Sequence, residues 1–323
     1  MKSRSLIGPF VLILSLCSCS SPDQSGQFNR KEAIVKKIPA PNFNADSAYQ
    51  YIKDQVNFGP RIPNTAAHDS CAIYLIKKLN SYNLEVKTQK GELEAYNGTK
   101  LNFTNIITSV NPEAKNKIML CAHWDTRPYA DQEPLIKTNS FDGASDGGSG
   151  VGVLLEMARL MSKNKPRIGV DLIFFDIEDY GHANVPDSYC LGSQYWAKSP
   201  MQKNYYPKYG VLIDMVGAKN ATFGMEGYSM QFAPHVVNKV WKIAAKAGFS
   251  DHFIFKRTNA TIDDHYYVNT IANVPCIDII QYDPTTKSGF GSYWHTTKDN
   301  MDIIDKSTLK AVGQTLLELV YAE

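Results

Sequence analysis

The body of this chain contains no apolar run of about 18 residues, which excludes an interior membrane-spanning helix. It has no surplus of charge: 34 Lys and Arg stand against 32 Asp and Glu. That balance gives no electrostatic footprint for a nucleic-acid partner. Cys71, Cys121, Cys190 and Cys276 form no CxxC or CxxxC pair, so nothing indicates a cysteine zinc site, and their spacings name no disulfide. They are expected to be buried as small apolar groups. One glycine-rich loop, "GASDGGSG", lacks a lysine after its last glycine and carries Asp146 in its middle, so it is a poor phosphate loop. A Gly/Ser-rich linker and internal repeats are also missing, which leaves one folded domain.

The N-terminus is a separate matter. "MKSRSLIGPFVLILSLCSCSS" places Lys2 and Arg4 before an apolar stretch from Leu6 to Leu16 and then small residues, the order of an export signal. Leu16, two small residues and Cys19 match a bacterial lipobox; Cys17 is the poorer candidate because bulky Leu16 directly precedes it. Residues 1–19 are therefore expected to be a lipoprotein signal peptide and 20–40 a polar tether and arm. Residues 41–323 are expected to be the functional domain. Lipid on Cys19 would anchor the protein in a bacterial cell envelope, facing the periplasm.

With 323 residues, 43% of them hydrophobic, the chain can bury one large core. Helical spacing marks residues 45–58 and 67–79, and again 151–161, 233–248 and 306–321. Short apolar runs at 84–88, 103–107, 117–123, 170–176, 210–217 and around "NVPCIDIIQY" read as strands. Strands alternating with helices predict an α/β domain with a central, twisted, mixed but mostly parallel sheet flanked by helices.

The chemistry gathers where these strands end, which is where open α/β sheets place their ligands. "KIMLCAH" leads into His123 and Asp125. "IFFDIED" leads into Asp176, Glu178 and Asp179, and "GVLID" into Asp214. The last strand leads, after a loop, to Trp294 and His295. Carboxylates with imidazole suit zinc, whose catalytic sites use three protein ligands and an open position. A cation would also account for an apolar strand ending in so much negative charge. Glu178 and Asp179 point apart on an extended backbone, so one can hold the metal while the other acts as acid and base. Asp176 is expected to cap its strand or pair with a basic side chain.

Taken in order, "HWD", "GASDGGSGV", "FFDIED", "LIDMVG", "DDH" and "WHT" resemble the zinc aminopeptidase clan of M28-type metallopeptidases across nearly the whole mature chain. Within that clan the chain is most similar to the animal-like glutaminyl-peptide cyclotransferases. The resemblance implies a zinc-aminopeptidase-like fold and one zinc per chain held by Asp146, Asp179 and His295. It implies Glu178 as acid/base with Asp214 and Asp263 as further catalytic acids, and Trp294 against the substrate. The substrates implied are peptides or proteins with an N-terminal glutamine, cyclised to pyroglutamate with release of ammonia. Asp263 in "TIDDHYYV" stands where the peptidases usually carry Ser, and Trp294 where they more often carry Tyr. "HYYV" departs from the cyclases' usual His-x-Pro-Phe. The residue types alone also admit a two-metal aminopeptidase, through His123 and Asp214, and a metal-free binding protein on the same scaffold.

Overall fold

The structure, a computed structural model, describes residues 38–201 and 205–323. The proposed leader and its lipobox cysteine lie outside the described residues. No helix among the described residues is long and apolar enough to cross a membrane. In chain order the elements are α1 (Ala45–Val56), α2 (Ala66–Asn80), β1 (Val86–Glu94), β2 (Lys100–Val110), β3 (Lys117–His123), α3 (Gly148–Lys163), β4 (Gly169–Phe175) and α4 (Leu191–Lys198). There follow β5 (Gly210–Asp214), β6 (Phe223–Met225), α5 (Gly227–Phe232), α6 (Pro234–Lys246), β7 (Phe253–Arg257), α7 (Asp264–Thr270), β8 (Cys276–Ile280) and α8 (Lys306–Ala322).

The main sheet runs β1-β2-β4-β3-β5-β8. Its centre is parallel: β3 pairs with β4 and β5, and β5 with β8. The antiparallel β1 and β2 extend one side. This is the predicted mixed, mostly parallel sheet. The central strands are mostly apolar because both of their faces are covered, with Asp171 and Asp278 as buried acids within them. Alternate residues go to opposite layers, as strand pleating requires. Ile118, Leu120, Ala122, Val211 and Ile213 join the larger core, which also holds residues of α1, α2, α3, α6 and α8. Met119, Cys121, Leu212 and Cys276 join a smaller core with Trp196 of α4 and Val268 of α7. Pleating therefore assigns His123, Asp214 and Asp278 to the face covered by α4 and α7. All four body cysteines are buried and free.

Register places the strand ends together: His123 lies opposite Phe175, and Asp214 opposite Ile280. Two of these exits then turn sharply, and so does the loop that follows β8. Ile177, Met215 and His295 take φ of 51°, 47° and 53°, in the left-handed region that side chains, β-branched ones above all, rarely adopt. Such strain concentrates at functional sites. The strand read over 210–217 accordingly stops at Asp214. Glu178 and Asp179 lie on a bend rather than on the extended backbone assumed from sequence, so the turn at Ile177, and not a strand pleat, separates their side chains.

The glycine-rich loop has a packing role. A Cβ on Gly150 would stand 2.4 Å from the Ile213 carbonyl oxygen and 2.9 Å from Ala122 Cβ. The absence of a side chain lets α3 rest directly on the sheet and carries the Asp146 loop over the ends of β3 and β5. Gly150→Ala is expected to cost about 1–3 kcal/mol, the usual scale for overpacking a dense core. Thermal melting checks it, and an unchanged melting temperature would remove glycine's packing role here.

Candidate active site

One cavity of about 210 Å³ opens at the carboxyl ends of the parallel strands. Asp146, Glu178, Asp179, Asp214, Asp263, Trp294 and His295 all line it, so the fold gathers every one of the candidate site residues.

Asp146 precedes α3 in a loop held from outside: the backbone N–H groups of Ser145 and Asp146 donate to the Asp299 carboxylate at 2.7 and 3.1 Å. Burial pushes Asp299 up to about 8, with Asp146 adding repulsion. Asp179 and Glu178 follow β4, and their backbone N–H groups both donate to Asp125, at 3.1 and 3.0 Å. One carboxylate thus orients the bend that carries both acids. His295 arrives from the loop after β8, its ring stacked on Trp294 with centroids 3.9 Å apart.

These three segments converge. His295 Nε2 lies 3.4 Å from Asp179 Oδ1 and 3.6 Å from Asp146 Oδ2. One donor atom from each of Asp146, Asp179 and His295 falls within 4.8 Å of the others. Asp179 Oδ2 is buried and has no hydrogen-bond partner. A buried, unpartnered carboxylate oxygen beside a second carboxylate and an imidazole fits a divalent cation: the donors are those zinc takes, and the charge needs an offset. Protein charges alone push His295 up to about 9, since Asp179, Asp131 and Asp146 outweigh the opposing effect of its burial.

Glu178 points elsewhere. It groups with Cys190 and Asp263, and the Cys190 thiol donates to its Oε1 at 3.3 Å. Burial raises its carboxyl well above the usual range; Asp179 and Asp263 add to this and His123 opposes it. Asp214 is pushed up to about 7, chiefly by burial against the pull of His123. His123 Nε2 lies 3.1 Å from Asp146 and 3.2 Å from Asp214, and this trio forms a second three-donor group that shares Asp146 with the first.

Other residues are revealed by the fold. Asp176 is fully buried and both caps and pairs: its Oδ2 accepts from Thr104 N–H at 2.6 Å, and its Oδ1 meets His68 of α2 at 2.8 Å. Behind Asp263 lies a further buried layer. Asp263 accepts from its neighbour's backbone N–H as the N-cap of α7, a short helix the sequence reading did not anticipate. His265 meets Glu226 at 3.1 Å, and neither oxygen of the fully buried Asp278 has a partner. Asp278 has the same signature as Asp214, an acid inside an apolar strand, so its sequence signal was present. Glu226 and the Arg127–Asp131 pair had no comparable signal.

The model of peptidase family M28 matches residues 105–320, more than half of the chain. The structure of a Zn-dependent exopeptidase from Parabacteroides distasonis is 52% identical, with a TM-score of 0.86 over 88% of this chain and 100% of the other. That of Bacteroides thetaiotaomicron glutaminyl cyclase, bound to N-acetylhistamine, is 49% identical with a TM-score of 0.85 over the same shares. Among more distant relatives, the glutaminyl-peptide cyclotransferase of Drosophila melanogaster is 24% identical across 77% of this chain and 73% of its own length.

Proposed function

The chain belongs to peptidase family M28, and we propose that it is a zinc-dependent glutaminyl-peptide cyclotransferase. It converts the N-terminal glutamine of peptides and proteins to pyroglutamate and releases ammonia. Glutaminyl cyclases stand among its relatives at about half identity over their whole chains. The observation that carries the reading is the division inside the cavity: Asp179 stands with Asp146 and His295, whereas Glu178 stands with Asp263.

In this reading Asp146, Asp179 and His295 hold one zinc ion per chain. Bound there, zinc would supply Lewis acidity and positive charge toward the glutamine γ-carbonyl. The chain's own residues do the rest. The cavity holds the terminal residue folded back, so that its α-nitrogen faces its own carboxamide carbon, the proximity that makes an intramolecular attack fast. Trp294 walls that space on one side. Glu178 takes a proton from the attacking amine and gives one to the departing nitrogen. A C–N bond forms to the α-nitrogen, the carboxamide C–N bond breaks, ammonia leaves, and no water is consumed. Asp214 and Asp263 line the same cavity as Glu178; burial and the neighbouring charge of Asp263 raise Asp214, so an acid stays available near neutral pH.

A second reading, an M28 zinc aminopeptidase, is favoured by the His123–Asp146–Asp214 group, which offers donors for a second metal that would suit activation of water, and by the names of relatives at about half identity, a Zn-dependent exopeptidase and a leucine aminopeptidase precursor. Mass spectrometry of a glutamine-initiated peptide separates the two. The cyclase removes about 17 Da, the ammonia expelled by intramolecular attack, and leaves the peptide otherwise intact. Ammonia should appear in equal amount, and leucine-initiated peptides should be cleaved negligibly. A shortened peptide with free glutamine would establish the aminopeptidase instead. Anchoring in a bacterial envelope through lipid on Cys19 is part of the same proposal and rests on the N-terminal sequence alone.

A further inference from the structure

Arg127 is a buried cation, 6% exposed, that takes no part in the chemistry described above. A guanidinium out of water needs partners for its donors, and the partners here are informative. One terminal nitrogen donates to the Asp179 backbone carbonyl at 2.9 Å, to Asp179 Oδ1 at 3.2 Å and to the Gly181 carbonyl at 3.3 Å. The other donates to Asp131 Oδ2 at 2.6 Å. The second oxygen of Asp131 meets His295 Nδ1 at 3.1 Å, and the backbone N–H of Gln132 donates to the His295 carbonyl at 3.1 Å. Tyr189, a residue of the cavity wall, lies over the guanidinium at 5.6 Å.

One rigid fork therefore spans two segments that reach the site from different strand exits. It grips the Asp179 bend by backbone and side chain, and through Asp131 it fixes the His295 ring. With Nδ1–H donated to Asp131, His295 presents its Nε2 lone pair toward Asp146 and Asp179. We propose that Arg127, acting with Asp131, is a positioning residue for the metal: it sets the separation of Asp179 and His295 and thereby how tightly zinc is held. This rests on the reading of Asp146, Asp179 and His295 as the zinc site.

Charge and geometry make opposite forecasts, which allows a clean test. Arg127 is a cation close to the site of another cation, so by Coulomb's law alone its removal should tighten zinc binding. If its role is positioning, removal should weaken binding, on the scale of about 10–100-fold known for residues that orient metal ligands. Arg127→Lys keeps the charge and loses the planar fork; Arg127→Met keeps much of the stem and loses the charge.

The experiment titrates zinc into the metal-stripped full chain and both variants, in competition with a zinc-binding fluorescent chelator. Thermal melting is measured with and without zinc. Both variants are expected to bind zinc at least about tenfold more weakly, so that the loss of melting temperature is larger in the zinc-loaded state than in the metal-free one, which itself loses the buried pairs with Asp131 and Asp179. Arg127→Lys with unaltered affinity, or Arg127→Met with tighter binding, would overturn the clamp. So would an equal loss of melting temperature with and without zinc, the mark of a general structural role. Failure of the unaltered protein to bind zinc would overturn the metal site, and the clamp with it; zinc on the unaltered protein with equal affinity in the variants would overturn the clamp alone.

Discussion

Glu178→Gln is expected to lower turnover of a glutamine-initiated peptide at least about a hundredfold, the usual scale for loss of a general acid–base group, while zinc stays bound. The amide keeps the size of the side chain and its place beside Asp263, but it cannot accept a proton from the amine and return one to ammonia. Asp179→Asn, one residue on, is expected to do something different. Its buried, unpartnered oxygen is the one suited to a metal, and a neutral amide there leaves a weaker ligand and less charge for the cation. Zinc content, measured by elemental analysis beside steady-state kinetics, separates the two effects. Loss of zinc from Glu178→Gln with zinc retained in Asp179→Asn would exchange the roles of the two residues.

His295→Ala is expected to remove the metal and nearly all activity. His295 is the single nitrogen donor of the Asp146–Asp179–His295 group, and it contributes more than a lone pair. Its left-handed backbone, its stacking on Trp294 and its contact with Asp131 mean that it also orders the wall of the cavity. Truncation leaves two carboxylates facing each other across an empty donor position, a poor site for zinc. Full zinc content in the variant would show that the metal has other ligands, and the His123–Asp146–Asp214 group would be the first place to look.

Much of this site was legible in the sequence because its members sit at the ends of strongly patterned elements. "KIMLCAH" is read as a strand over 117–123 and is one over those same residues. The helix read over 151–161 is the inner part of α3. An acid or histidine at the end of an apolar strand then needs only the general geometry of α/β sheets to be placed in a common crevice. Asp176 shows where this stops. Its cap was foreseeable from its position, but its partner His68 comes from α2, and no pattern in either segment names the other. The same holds for Asp299, which holds the Asp146 loop from the far end of the chain.

The sequence by itself determined the identity and local setting of the cavity's candidate residues: which strands end in acids and which loop carries Asp146. These follow from burial periodicity and backbone chemistry, which act over a few residues. Only the tertiary structure decided who meets whom. The strand order brings β3, β4 and β5 side by side, the turn at Ile177 sends Glu178 to Asp263 and Asp179 to His295, and Arg127 joins two segments that no spacing relates. The reason is physical: a lone buried charge is unfavourable wherever it stands, so its partner is selected by the packing that surrounds it and not by the residues beside it in the chain.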